Sequence, residues 1–238
     1  MIKKYLDFIL NYDNAPKTII LAGTIASGKS TVCENLCKIT EYTPFFEPVE
    51  EHPFLAEYYR YKHEFEESKS EMSLKNLQIN SERTQFYFLS NRFRSHILAG
   101  INNKSILDRS IYEDLIFMEM LYDLGYIEKV VYQQVYLPLY NILTKIIKEA
   151  DVMIYLYCDP KSAKDRCDNR GRKIEDKIKL EFLQRLGTYY NKWKKNYPYK
   201  MIEVNTLKYN LKDINSPGYI EILKKIGFIK ERHEAISN

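Results

Sequence analysis

Five short apolar runs punctuate the chain, at residues 19–22, 43–46, 105–108, 152–157 and 201–204. They are rich in β-branched and aromatic residues, and they predict strands. Between them the apolar positions change period. Val32, Leu36 and Ile39 recur at three- and four-residue steps, as do apolar residues within 74–98, and both spacings predict helices. Residues 113–124 and 128–150 read as helices too, with Pro138 predicting a kink in the second. Strands alternating with helices predict an α/β fold: a five-stranded parallel sheet covered by helices on both faces, with right-handed crossovers. Such sheets bind ligands outside the carboxyl ends of their strands. Residues 61–75 break the pattern by crowding Lys, His, Glu and Ser together, and they read as a mobile surface insertion. No internal repeat and no Pro-, Gly- or Ser-rich linker divides the 238 residues, so they read as one domain, 1–238.

The first apolar run leads into Gly23-Thr24-Ile25-Ala26-Ser27-Gly28-Lys29-Ser30, which matches G-x-x-x-x-G-K-[ST] between a strand and a helix. Gly23 and Gly28 permit backbone angles closed to other residues, so the loop N–H groups can converge on phosphate oxygens. The helix N-terminus behind them adds partial positive charge. Lys29 is placed to reach the outer phosphates, and the Ser30 hydroxyl to ligate magnesium. The loop predicts a bound nucleoside triphosphate; it does not name the reaction.

Composition narrows the classes that remain. The chain is 45% hydrophobic and 29% charged, enough for a sizeable core, and its net charge of +4 calls for no nucleic-acid partner. Cys33, Cys37, Cys158 and Cys167 join no Cys/His cluster of metal-ligand spacing, and read as buried thiols of a reducing compartment. His52, His63, His96 and His233 are scattered. No stretch is apolar enough to span a bilayer, and residues 1–12 lack the features of a signal or transit peptide, so the cytoplasm is the expected location.

Other strand ends carry candidate chemistry. Glu47 follows the second apolar run and could serve as a general base on a hydroxyl, or simply as a cap or ion-pair partner. Asp108 and Arg109 end the third run. Asp108 could hold magnesium through its water shell, and Arg109 could neutralise phosphate or pair with Glu47; a structural salt bridge is the plainer alternative. Gln85 and Arg92 lie seven apart and share a helix face, where an amide suits a base edge and Arg92 could pair with Asp114. The same residues could be ordinary helix surface. Arg166, Arg170 and Arg172 form a basic run after the fourth strand, suited to closing over a transferring phosphoryl group or to lying solvated.

Taken in order, these pieces resemble the deoxynucleoside kinase family. The similarity covers residues 19–193. It rests on the phosphate loop, E-P-V-E at Glu47, Q-x-Y-F-L-x-x-R-F at Gln85–Phe93, D-R-S-I-Y-E-D at Asp108–Asp114 and R-x-x-x-R-G-R at Arg166–Arg172. The resemblance implies a P-loop NTPase fold with an arginine-rich lid, and transfer of the γ-phosphate of ATP to the 5′-hydroxyl of a deoxynucleoside. It implies that Glu47 is the catalytic base, steadied by Arg109, with Lys29 at the phosphates. ATP is implied to lie against Gly23, Thr24, Ile25, Ala26, Ser27, Gly28, Lys29, Ser30 and Thr31, with Arg166, Arg170 and Arg172 closing over it. Ser30 and Asp108 are implied at Mg2+. Gln85, Arg92 and Asp114 are implied at the base, and Tyr59 and Glu175 at the sugar. Residues 205–209 are implied near adenine. The Arg92–Asp114 pair implies deoxyadenosine, deoxyguanosine or deoxycytidine rather than thymidine. Met118 falls where many relatives carry a phenylalanine that stacks on the base, with Phe117 turned elsewhere. A homodimer through helices like 74–98 and 113–124 is implied, without nucleic acid or membrane. A thymidylate-type monophosphate kinase is the rival enzyme, but no arginine stands beside Glu47 as its R-E-P-G pattern requires. A non-catalytic nucleotide-binding scaffold is the rival of another class.

Overall fold

In a computed structural model of the chain, residues 10–13, 15–47, 49–172 and 178–229 are described. The elements run β1 (Thr18–Ala22), α1 (Lys29–Thr40), β2 (Thr43–Phe45), α2 (Leu55–Ser68), α3 (Glu71–Asn102), β3 (Ser105–Asp108) and α4 (Ile111–Asp123). A π-helical segment (Val131–Tyr136), α5 (Leu137–Ile146), β4 (Val152–Tyr157), α6 (Pro160–Arg170), α7 (Leu180–Asn196), β5 (Met201–Asn205) and α8 (Pro217–Ile226) follow. The five strands form a parallel sheet in the order β2-β3-β1-β4-β5, as the alternation of strands and helices predicts.

β1 is buried along its whole length because it lies centrally with helices on both sides. Its residues alternate between two cores, as the two-residue period of a strand requires. Ile19 and Leu21 pack with Val32, Leu36 and Ile39 of α1 and with Tyr219, Ile222 and Leu223 of α8. Ile20 and Ala22 face the other core, with Leu77 and Leu89 of α3, Ile116 of α4 and Leu186 and Tyr190 of α7. Every βα turn therefore opens at the same sheet edge, where β1, β2 and β3 deliver the phosphate loop, Glu47 and Asp108-Arg109.

Two stretches differ from the pattern-based expectation. Residues 61–75, expected as a surface insertion, belong to a helical hairpin: the end of α2, a turn, and the start of α3. Lys69 takes a left-handed φ of 51° at the turn, and the Ser70 hydroxyl accepts the Ser73 N–H at 3.1 Å to cap α3. The apolar stripe of α2 is narrow, with Tyr58, Tyr61 and Phe65 on the core, and charged residues such as Lys62, His63, Glu66 and Glu67 surround it. Lys62 and Glu66, paired four apart along the helix, support it. Residues 129–146 are helical throughout, close to the expected 128–150, but not as one regular α-helix. Pro138 has no N–H to donate and crowds the carbonyl four residues back, and the chain there widens into the π-helical turn before α5, which ends at Ile146. Among the described residues, no helix is long and apolar enough to cross a membrane.

Candidate active site

The phosphate loop leaves β1 at Gly23, whose φ of 145° is closed to other residues; a Cβ there would stand 2.2 Å from the Leu156 carbonyl oxygen. Gly28, at φ 102°, caps α1. Lys29 is buried, and its Nζ donates to the carbonyls of Gly23 at 3.0 Å and Thr24 at 2.7 Å. Burial, together with the Arg109 guanidinium, lowers its pKa to about 8 against the pull of nearby carboxylates. One residue on, the Ser30 hydroxyl donates to Asp108 Oδ2 at 2.6 Å. Burial raises the Asp108 pKa, while Lys29 and the Ser30 hydrogen bond oppose the rise. Its Oδ1 is buried and has no hydrogen-bond partner among the described residues.

Glu47 follows β2 and lies between two arginines. Its Oε2 accepts from Arg109 Nε at 2.9 Å, and its Oε1 pairs with Arg92 Nη2. Burial would raise its pKa, but Arg92, Arg109 and Lys29 outweigh that and hold it at about 2. Arg92 also pairs through Nη1 with Asp114, which is wholly buried. Arg109 takes a left-handed φ of 76° at the end of β3, which turns its side chain back over the phosphate loop. Its Nη1 donates to the Gly23 carbonyl at 3.1 Å, Glu113 Oε1 at 3.1 Å and the Tyr190 hydroxyl at 2.7 Å.

Glu113 ties these parts together. Its Oε1 accepts the Gly23 N–H at 3.2 Å and the Tyr190 hydroxyl at 2.6 Å, while Oε2 accepts the Ser110 N–H at 3.0 Å. One buried carboxylate therefore joins the phosphate loop, the β3 arginine, the start of α4 and α7.

Two cavities flank the loop. One, of about 580 Å³, is lined by Glu47, Gln85, Arg92, Asp108 and Arg109, with walls from Tyr58, Tyr59, Phe88, Phe117 and Phe182. The second, of about 410 Å³, is lined by Gly28, Thr31, Arg166, Asn169, Thr206, Tyr209 and Lys212. Ala26, Lys29, Ser30 and Arg170 line both, so the loop and its helix stand between them.

Of the residues marked in the sequence, Glu47, Gln85, Arg92, Asp108, Arg109 and Tyr59 converge on the first cavity, with Arg170 and Arg172 at its edge. Arg172 Nε lies 3.6 Å from Glu50 Oε1. Asp114 does not line the cavity; it stands behind Arg92. Arg166 lines the second cavity with Arg170, where it donates to the carbonyls of Ala26 at 3.3 Å, Ser27 at 3.4 Å and Thr206 at 3.1 Å. Glu175 lies outside the described residues.

The assignment of Met118 to a base-facing position is corrected. Met118 is buried in the core, and Phe117 lines the cavity with Met120 and Leu121. On α4, Phe117, Met120 and Leu121 lie three and four apart and form the stripe that lines the cavity, with Asp114 three before Phe117 and behind Arg92. Sequence reasoning also missed Phe88, Glu113 and Tyr190. Phe88 sits three after Gln85 and four before Arg92, so helical spacing marks it. The S-x-x-E spacing of Ser110 and Glu113 marks a helix start but not the bond to Gly23. No local signal brings Tyr190 there. The four cysteines are free, and among the described residues no group of three His, Cys, Asp or Glu could hold a metal ion by itself.

A triphosphate cradle with an aromatic-walled cavity on one side, and an ionised carboxylate where the two meet, is the layout of a P-loop kinase acting on a small molecule. More narrowly, the chain belongs to the deoxynucleoside kinase family, whose model matches residues 19–224. It is 31% identical over 189 residues to a deoxyguanosine kinase of Lactobacillus johnsonii, covering 76% of this chain and 78% of that one. It is 32% identical over 179 residues to a deoxyadenosine/deoxycytidine kinase of Bacillus subtilis, covering 74% and 75%. Among solved structures, the deoxyadenosine kinase from M. mycoides with bound dATP superposes with a TM-score of 0.72 at 28% identity, covering 87% of this chain and 98% of that one. The same kinase with bound dCTP gives 0.70 at 29% identity, covering 88% and 98%.

Proposed function

We propose that this kinase transfers the γ-phosphate of ATP to the 5′-hydroxyl of deoxyadenosine, deoxyguanosine or deoxycytidine, in cytoplasmic nucleotide salvage. The observation that carries this is the place of Glu47: ionised, between two arginines, in a nucleoside-sized cavity that shares Lys29 and Ser30 with the cavity beyond the loop. The 5′-hydroxyl donates its hydrogen bond to Glu47. With a pKa of about 2, Glu47 is too weak a base to form a free alkoxide, so the proton moves as the new P–O bond forms. Arg109 holds the carboxylate in line, and Lys29 steadies the charge on the transferring group. Arg170 and Arg172 close over the phosphates and exclude water.

Ser30 and Asp108 fit Mg2+. They are hard oxygen donors, the Asp108 carboxylate has an unpartnered buried oxygen, and magnesium takes one or two protein ligands with phosphates and water. When bound, the ion offsets charge on the β- and γ-phosphate oxygens. Gln85 and Arg92 read the base, Phe88 and Phe117 flank it, and Tyr59 and Glu175 hold the sugar. Arg92, fixed by Asp114, fills the room a thymine methyl would need. The deoxyguanosine, deoxyadenosine and deoxycytidine activities named for relatives support this preference.

The protein works as a homodimer on this reading. The apolar surface that supports it lies on α3 and α5, where Ile101 is 72% exposed, Ile142 57% and Ile146 60%. α4, the other helix expected at the interface, packs its apolar residues inward.

Turnover with ATP, magnesium and each of the four deoxynucleosides tests the proposal. We expect phosphorylation of at least one purine deoxynucleoside or deoxycytidine, and none of dAMP. Higher catalytic efficiency on thymidine than on the other three overturns the base preference, and turnover of dAMP without deoxyadenosine points to a monophosphate kinase.

A further inference from the structure

The loop between β5 and α8 walls the 410 Å³ cavity through Thr206, Tyr209, Leu211 and Lys212. It has no regular structure of its own, yet side chains from two distant elements hold it: Arg166 of α6 holds its start at Thr206, and Asn35 of α1 holds its middle at Leu211 and Lys212. Asn35 lies on α1, five residues beyond Ser30. Its Nδ2 donates to the carbonyl of Leu211 at 3.2 Å, to the Tyr219 hydroxyl at 2.9 Å and, more weakly, to the carbonyl of Lys212 at 3.5 Å. Tyr219, on α8, donates its hydroxyl to the Leu211 carbonyl at 2.6 Å. Gly218 lets the loop lie flat on α8, because a Cβ there would meet Leu211 and Tyr209 side-chain atoms at 2.8 Å.

Asparagine is a poor choice for a helix interior, and burying an amide costs free energy unless it is hydrogen-bonded. These bonds of the Asn35 amide go to this one loop and the tyrosine that braces it. α1 begins with Lys29, Ser30 and Thr31, which face the phosphates, and reaches the loop through Asn35 a turn and a half later. A single rigid helix thus carries both the phosphate contacts and the anchor of the wall beyond them.

We infer that Asn35 is a positioning residue that sets the shape of the donor-base cavity, and through it the affinity and base selectivity for the nucleoside triphosphate donor. This rests on the proposal above that ATP is the phosphate donor, with its base in the 410 Å³ cavity, across the phosphate loop from the acceptor cavity. Truncating Asn35 removes its bonds to the Leu211 and Lys212 carbonyls and to the Tyr219 hydroxyl, leaves Leu211 with Tyr219 alone and loosens the loop, without touching the residues that line the acceptor cavity.

Asn35→Ala and Tyr219→Phe test this, by steady-state kinetics with ATP and GTP as donors and deoxyadenosine, deoxyguanosine or deoxycytidine as acceptor, and by calorimetric binding of ATP. Losing one or two such hydrogen bonds predicts a rise of about 5- to 10-fold in KM and Kd for ATP in Asn35→Ala, and about 3-fold in Tyr219→Phe. KM for the deoxynucleoside should stay within about twofold, and the preference between ATP and GTP should contract. Equal rises in both KM values, or unchanged ATP affinity, overturn the inference. Tyr219→Phe keeps the packed ring and decides the matter if Asn35→Ala fails to fold. If the wild type phosphorylates no deoxynucleoside, the functional reading falls, while the calorimetric comparison still decides the role of Asn35.

Discussion

Glu47, largely enclosed, and His96, buried, are both titratable, and their environments push them to opposite ends of the same question: which protonation state does folding require? Glu47 is held at about 2 from an ordinary 4.5, so it stays ionised throughout the working range, and its stabilising contribution fades only as pH falls from about 4.5 towards 2. The acid limb of the turnover profile between pH 5 and 8 should therefore not report Glu47. Glu47→Gln should lower kcat by about 10²-fold or more with a modest change in deoxynucleoside affinity, measurable by steady-state kinetics and direct binding. His96 is lowered to about 4, by burial first and by the charge of Arg92 second. It stays neutral in the fold, where its Nε2 accepts the Ile111 N–H at 3.2 Å at the start of α4. The unfolded chain takes up its proton near pH 6.5, so stability falls as pH drops from about 6.5 to 4. Urea denaturation at pH 7 and 5 should differ by on the order of 2 kcal/mol, and His96→Asn should shrink that difference. Glu47, Asp108, Arg109 and Gln85 were legible in the sequence because strand ends and helix faces announce them. Phe117 was not, because positions 117 and 118 lie three and four beyond Asp114 and both fall near its face, so spacing alone does not choose between them.

At the scale of elements, the strands and the phosphate loop follow from local pattern almost residue by residue. Buried strands allow little slack in register, and the loop depends on two glycines. Gly23 has both a strained φ and no room for a methyl group beside Leu156. Gly23→Ala should destabilise the fold by about 2 kcal/mol or more and weaken ATP binding, seen by thermal melting with and without ATP. The α2–α3 hairpin was hidden from pattern reading, because a helix with a thin apolar stripe and many ion pairs resembles a charged loop in composition. The π-helical turn before Pro138 was half legible: proline marks a fault in the helix, but not the form it takes.

Over the whole molecule, the sheet order places β1 between β3 and β4, so the loop emerges at the centre with a cavity on either side. Sequence alternation foretold the sheet and the edge that carries the site. It did not foretell the long-range joins, such as Glu113 to Gly23 and Tyr190, because they link residues 90 and 77 positions apart. The exposed isoleucines of α3 and α5 yield the assembly prediction. If the proposed homodimer forms, Ile101→Asp combined with Ile142→Asp should convert it to monomer in light scattering coupled to size exclusion.

Asp114 does not line the cavity, yet it holds Arg92, the arginine proposed to meet the substrate's base. A lineage could thus change its preferred nucleoside by a substitution concealed behind the cavity wall, leaving every contacting side chain the same. Comparisons confined to contact residues would score such enzymes as identical in specificity, when the cause of their divergence lies one layer deeper.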